Sequence, residues 1–168
     1  PRVEAQLWQL GISYYYAGQF EKGRALFEKH QTVNPQDVEN AIWHFLCVAR
    51  IKDMEAARKN FIPITSDSRV PMKELHGLFA GILKEQEVLA AVRVGQPSKA
   101  EEQNRRFYAY LYLALYDEAM GRNAESLAKM KKAVNELTDE HYMGDVARVH
   151  LKLRAGETKN SVKPTLPR

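Results

Sequence analysis

Five histidines, one cysteine and scattered carboxylates are the residues in this 168-residue chain that could do chemistry. His30, His44, His76, His141 and His150 stand apart from one another and from Cys47. None has a second histidine, a cysteine or a carboxylate at the spacing of a known metal site. His141 and Asp145 lie one helical turn apart, which is the usual spacing of a surface contact. No nucleophile-elbow pattern frames a serine, and no glycine-rich phosphate loop occurs. The expectation is therefore a protein with no catalytic residues, no metal and no cofactor. Cys47 follows Phe45 and Leu46 and precedes Val48, so it reads as a buried, inert thiol. A lone cysteine also leaves no internal disulfide.

The residues left for function are tryptophan, tyrosine and arginine, the types that carry most interface energy, and helices must position them. The stretch from Glu4 to Asp37, EAQLWQLGISYYYAGQFEKGRALFEKHQTVNPQD, shows two helical patterns around one turn. Leu7, Leu10, Gly11 and Tyr14 recur at spacings of three and four, so they predict one helix face. Gly18 predicts the end of that helix. Phe20, Gly23 and Phe27 form the stripe of the next, and Pro35 is placed to stop it and start a third. Small residues at Gly11 and Gly23 would let the two helices approach closely. This order of large, small and proline positions over about 34 residues resembles a tetratricopeptide repeat (TPR).

A degenerate second unit is read over 38–70. Ala41, Ile42, Phe45, Leu46 and Val48 supply its first helix, Asp53 an N-cap, and Ala57, Phe61 and Ile64 its second helix, which Pro63 ends. Pro71 opens a helix pair over 71–97, with Leu75, Leu78, Phe79 and Ile82 inward on the first member and Val88, Leu89, Ala91 and Val92 on the second. Gly95-Gln96-Pro97 is the clearest breaker, and Ser98 with Glu101 forms a capping pattern. A third TPR-like unit spans 98–138, with an aromatic-rich helix, Gly121 as its end, and Ser126, Met130 and Ala133 on the helix that follows. Asp117 stands where the repeat usually has tyrosine. A helix over 139–154, with Met143, Val146, Ala147, Val149, Leu151 and Leu153 inward, would cap the array. Residues 155–168 are polar, hold two prolines and are read as disordered. The fold expected is all-α: one domain over 1–154, about nine helices in a right-handed α-α superhelix, a TPR-like solenoid.

Three stretches carry a further likeness: Trp43-x-Phe45-Leu46, the run Leu78-Phe79-Ala80-Gly81-Ile82-Leu83-Lys84-Glu85-Gln86, and Phe107-Tyr108 through Gly121 to Ala133-Val134. Together with the order of units, they make residues 4–153 similar to the NlpI family of bacterial lipoproteins. The resemblance implies a non-enzymatic adaptor that faces the periplasm, often dimerises, and scaffolds proteases and peptidoglycan hydrolases. It favours a periplasmic or envelope location, with the cytoplasm as the alternative. The lipobox and N-terminal helices of that family do not occur in these 168 residues, and the start PRVEA reads as trimmed or processed.

In a TPR array the first helix of each repeat lines the concave surface. The candidate partner-binding residues are therefore Trp8, Ile12, Tyr15 and Tyr16, then Trp43, Leu46 and Arg50, and finally Tyr108, Tyr112, Leu115 and Glu118. His76 and Phe79 could be added from the helix at Pro71. Such a face suits an extended peptide or a partner helix. Asn40, Arg50, Arg105 and Arg106 are too sparse to clamp a C-terminal carboxylate, so an apolar or mixed ligand is expected. Net charge is +4, of which the last fourteen residues supply +2. No basic stripe interleaved with aromatics appears, which argues against nucleic acid. No apolar run reaches membrane-spanning length. Homodimerisation through the aromatic face and membership of a larger polypeptide are the alternative readings.

Overall fold

The structure is a computed structural model that describes residues 5–161. Among the described residues the chain is all-α, with nine helices and no strand. They are α1 (Trp8–Tyr16), α2 (Phe20–Gln31), α3 (Val38–Ile51), α4 (Met54–Lys59), α5 (Met72–Phe79), α6 (Glu85–Ala91), α7 (Lys99–Ala119), α8 (Asn123–Asn135) and α9 (Tyr142–Ser161). They group into two compact units, Pro1–Val94 and Gly95–Arg168, which divide at the Gly95-Gln96-Pro97 breaker.

In the first unit, α1 ends at Gly18 with φ 72°. The Gln19 N–H donates to the Tyr14 carbonyl at 2.8 Å and the Gly18 N–H to that of Tyr15 at 3.1 Å. This is the left-handed close of a Schellman motif, which glycine adopts at least cost. In the second unit α7 ends the same way. Gly121 has φ 76°, and Arg122 and Gly121 donate to the carbonyls of Asp117 and Glu118 at 2.8 and 2.9 Å. Laying Gly18 on Gly121 pairs Gly11 with Ala114, Ile12 with Leu115, Gly23 with Ser126, Phe27 with Met130 and His30 with Ala133. Every one of these ten residues is buried.

Close helix approach in the first unit comes from missing side chains. A Cβ on Gly11 would stand 2.6 Å from Cζ of Phe27, and one on Gly23 would stand 2.9 Å from the Cys47 Sγ and 3.3 Å from the Gly11 carbonyl oxygen. Gly23 is thus the point where α2 lies against both α1 and α3. From residue 38 to 48 only Glu39 escapes burial, so α3 is enclosed nearly all round and forms the centre of the unit. Its N-terminus is held by acids and one arginine. Asp37 accepts from the Glu39 N–H at 3.0 Å and Asp67 from the Val38 N–H at 3.2 Å. Arg69 joins them, reaching Asp37, Asp67 and Glu39 at 2.8, 2.6 and 2.6 Å. Gln36 accepts from the Thr65 and Ser66 N–H groups, so the 60–70 loop is fastened to the entrance of α3.

Several sequence expectations are corrected. The buried face of α1 is Gly11, Ile12 and Tyr15, whereas Leu7 and Leu10 are exposed. Pro35 lies in the connection before α3, and Asp37 provides the cap. Asp53 caps α4 as expected, its carboxylate accepting from the Ala56 N–H at 2.7 Å, but the helix stops at Lys59. Phe61 and Ile64 therefore lie beyond it, outside any helix. Ile82 is 79% exposed, because Gly81 at φ 80° ends α5 before it. On α9 the inward residues are Met143, Val146, Ala147 and His150, and Val149 and Leu153 face out. That helix also continues to Ser161, where disorder was expected from 155 onward. Extending an existing helix costs far less than starting one. The rest of the expected tail, 162–168, lies outside the described residues.

Gly11→Ala is expected to destabilise the chain by about 1–3 kcal/mol, the usual range for overpacking. Gly18→Ala, whose new Cβ meets nothing within 4 Å, is expected to cost about 1–2 kcal/mol from backbone conformation alone. Denaturant unfolding of both variants checks this. A Gly11→Ala chain as stable as the parent would show that Phe27 does not bear on α1.

Candidate functional site

Three aromatic clusters hold most of the candidate binding residues. The first is built by α1, α2 and α3. The Tyr15 ring meets Trp43 and Tyr16 edge-on, each at 5.4 Å, and Phe20 at 5.5 Å. Tyr16 lies 6.1 Å from Trp43, and the Arg50 guanidinium sits 4.8 Å above the Phe20 ring. These edge-to-face arrangements and the cation over the ring face satisfy the ring quadrupoles. Ile12, Tyr15, Trp43 and Leu46 are at most 1% exposed, so they are core. Trp8 and Tyr16 are half-buried, and Arg50 is exposed. The Trp43 Nε1–H is buried without a hydrogen-bond partner among the described residues.

The second cluster surrounds Phe45, whose ring meets Phe61 at 5.3 Å and Phe79 at 5.2 Å. His76 stacks on Phe61 at 4.4 Å, and its Nε2–H donates to the Ile62 carbonyl at 2.9 Å. Phe79 is fully buried and His76 half-buried. His76 therefore pins the chain after α4 rather than standing free for catalysis.

The third cluster belongs to the second unit. Phe107 and Tyr108 of α7 lie 5.0 and 6.2 Å from the His141 ring. Tyr112 and Leu115 are buried. Glu118 is half-buried and accepts from Arg154 Nε of α9. Beside it, Asp117 is 2% exposed and fully engaged. Arg122 reaches one of its oxygens through Nε and Nη2 at 2.9 and 2.6 Å, and Lys129 Nζ reaches the other at 2.5 Å. A buried carboxylate is tolerable only with such partners. The departure at Asp117 from the repeat pattern is thus compensated by charges five and twelve residues later. In sequence these look like ordinary surface charges, since only the hairpin brings them together.

The thirteen candidates thus divide. Ile12, Tyr15, Trp43, Leu46, Phe79, Tyr112 and Leu115 are interior, and Trp8, Tyr16, Arg50, His76, Tyr108 and Glu118 reach the surface to varying degrees.

Also buried are the titratable side chains of His30, Cys47 and His44. His30 Nδ1–H donates to the Ala5 carbonyl at 2.7 Å. Burial pushes the Cys47 thiol up to about 12, which leaves it protonated and unreactive at neutral pH. Burial lowers the pKa of His44, against the opposing hydrogen bond that Nε2–H donates to the Glu28 carboxylate at 3.3 Å. No group of three or more His, Cys, Asp or Glu side chains that could hold a metal ion occurs among the described residues. No described helix is long and apolar enough to cross a membrane.

No family model matches the chain. No curated protein matches it at a significant level.

The lowered pKa of His44 sets a sign for pH dependence. The folded chain favours the neutral ring, so its contribution is complete above pH 6.5, the ordinary histidine value, and is lost as pH falls below it. The thermal midpoint of the parent is expected to fall more steeply between pH 7 and 5 than that of His44→Leu, which should be within about 1 kcal/mol of the parent at pH 7. Parallel slopes in the two proteins would show that His44 does not titrate differently on folding.

Proposed function

We propose that the chain is a non-enzymatic adaptor that binds an extended peptide or a partner helix of apolar or mixed character. The direct contacts fall on the accessible edges of its aromatic clusters: Trp8, Tyr16, Arg50 and His76 in the first unit, and Tyr108 and Glu118 in the second. The buried candidates act from beneath, holding those edges in place. The observation that supports this reading is the recurrence in each unit of one glycine-closed helical hairpin with the same buried positions, as a TPR-like order would require. In such arrays the surface of the first helices takes the ligand, and the likeness to NlpI-type lipoproteins supports a setting in the bacterial envelope.

Selection from a random peptide display library tests it. The parent should enrich a defined motif containing apolar residues. A Tyr16→Ser/Arg50→Glu variant that keeps the parent's circular dichroism should bind that motif at least about tenfold more weakly, the loss of an aromatic or arginine anchor. Equal enrichment by both forms would remove the first-unit face from the proposal.

A second reading, self-association, is favoured by apolar side chains left outside. On α9, Tyr142, Val149 and Leu153 are 38, 46 and 41% exposed and share one stripe at spacings of seven and four. If that stripe pairs two copies, the parent sediments as a dimer and Val149→Glu/Leu153→Glu as a monomer. A monomeric parent at tens of micromolar would end this reading.

A further inference from the structure

Near the turn between α1 and α2, the first aromatic cluster comes to the surface at Tyr16, Phe20 and Arg50. The two rings are half-buried and the arginine is exposed. Tyr15 is buried beneath and joins them, its ring 5.4 Å from Tyr16 and 5.5 Å from Phe20. The Arg50 guanidinium lies 4.8 Å from the centre of the Phe20 ring. A guanidinium held over a ring face is restrained, yet its N–H edges remain available as donors.

Two features of charge set this place apart. No charged residue occurs from Ala5 to Phe20, the longest such run in the chain. The next longest, Asn40–Ala49 and Phe107–Tyr116, lie on α3 and α7 and contain no exposed residue. In the first run, by contrast, Gln6, Leu7, Gln9, Leu10 and Ser13 are all exposed. The first helix therefore has the composition of an enclosed helix and the accessibility of an open one. Depletion of charge where tyrosine, tryptophan and arginine gather is the composition of an interface core. The second feature is that Arg50 has no acid. No described carboxylate pairs with it, and its one printed contact is the Phe20 ring. Arg69, Arg106, Arg122 and Arg154 each meet at least one carboxylate. The acids close by in sequence are engaged, Glu21 with Arg24 at 3.1 Å and Asp53 with the Ala56 N–H at 2.7 Å. Lys52 makes no ion pair among the described residues either, so the end of α3 stays positive.

We infer that the peptide bound at this face carries an aspartate or glutamate side chain that accepts from the Arg50 guanidinium, beside an apolar or aromatic side chain that lies on Tyr16 and Phe20. The inference rests on the partner-binding reading above and names the chemistry of its ligand. A guanidinium fork takes a carboxylate through two parallel hydrogen bonds. The ring beneath has already restrained Arg50, so less side-chain freedom is lost on binding. An isolated acid among apolar residues fits; a run of acids would set its remaining charge against the uncharged surface of α1. A free C-terminus also offers a carboxylate, but its capture takes several converging cations, and α1 supplies none.

Peptide selection followed by a double-mutant cycle tests this. A library displayed within a loop, with neither peptide end free, is selected on the parent. The enriched motif should hold one Asp or Glu at a fixed spacing from an apolar or aromatic residue. Fluorescence anisotropy then follows the synthetic peptide, capped at both ends. Replacing its acid by the amide should weaken binding to the parent about fivefold, the upper size of an exposed ion pair. The same replacement should leave binding to Arg50→Met unchanged, since methionine keeps a cover on Phe20 without charge. Selection on Arg50→Glu should place Lys or Arg where the acid stood. Each variant is required to keep the parent's circular dichroism, and the motif chosen by the parent tests the acid even if a variant fails to fold. A motif without an acid would overturn the inference and leave partner binding standing, as would an amide replacement equally costly against the parent and Arg50→Met. Binders obtained only from a parallel library with free C-termini would overturn it in favour of a terminal carboxylate. Failure of both libraries to enrich any motif would remove the partner-binding reading, and this inference with it.

Discussion

In the first unit everything is arranged around the lack of a side chain at Gly23. The backbone there lies within contact distance of the Gly11 carbonyl on one side and the Cys47 sulfur on the other. Three helices can share a point only if none of them brings bulk to it. The first hairpin accordingly places glycine on both of its helices and presses the Phe27 ring onto the bare surface of Gly11. The third helix brings the smallest sulfur side chain. Once α3 is drawn in this far, its aromatic residues have no route to solvent, and Trp43, Phe45 and Leu46 become core rather than surface. The aromatic clusters are thus a consequence of close helix approach as much as of hydrophobicity.

A helix enclosed this tightly still has to leave its first N–H groups satisfied. Asp37 and Asp67 do this from two directions, and Arg69 holds the two carboxylates and Glu39 together. Burial alone would raise the pKa of Asp67, but its hydrogen bonds from Arg69 and from the α3 backbone bring it below the ordinary value. The 60–70 loop, which has no regular structure of its own, is therefore part of the scaffold. The second unit solves a related problem with Asp117, where a buried acid ties the hairpin turn at Arg122 to the next helix at Lys129.

Much of the fold was legible because it rests on local rules. The glycine ends at Gly18 and Gly121, the caps at Asp53 and Ser98, and the small positions Gly11, Gly23 and Ser126 follow from backbone conformation and helical period alone. What misled was the assignment of faces at the ends of the two units. Leu7, Leu10, Val149 and Leu153 obey the apolar period, yet they are exposed, because period identifies a stripe without saying whether anything lies against it. The candidate binding residues suffered the opposite error. Tyr15, Trp43 and Tyr112 have the chemistry of interface anchors, but depth depends on the closeness of neighbouring helices, and that is a three-dimensional quantity. The charge networks at Arg69 and Asp117 were not legible at all. Each joins residues from separate elements, and no spacing rule connects them.

Cys47 gives the crossing at Gly23 an unplanned use. The thiol is fully enclosed, its ionisation is suppressed by burial, and the sequence holds no other cysteine to compete with it. A thiol reagent can reach it only when the packing around α3 opens, so the rate at which the intact protein is alkylated is a clock for opening of that packing. The chain carries its own single-site gauge of how often its tightest contact breathes.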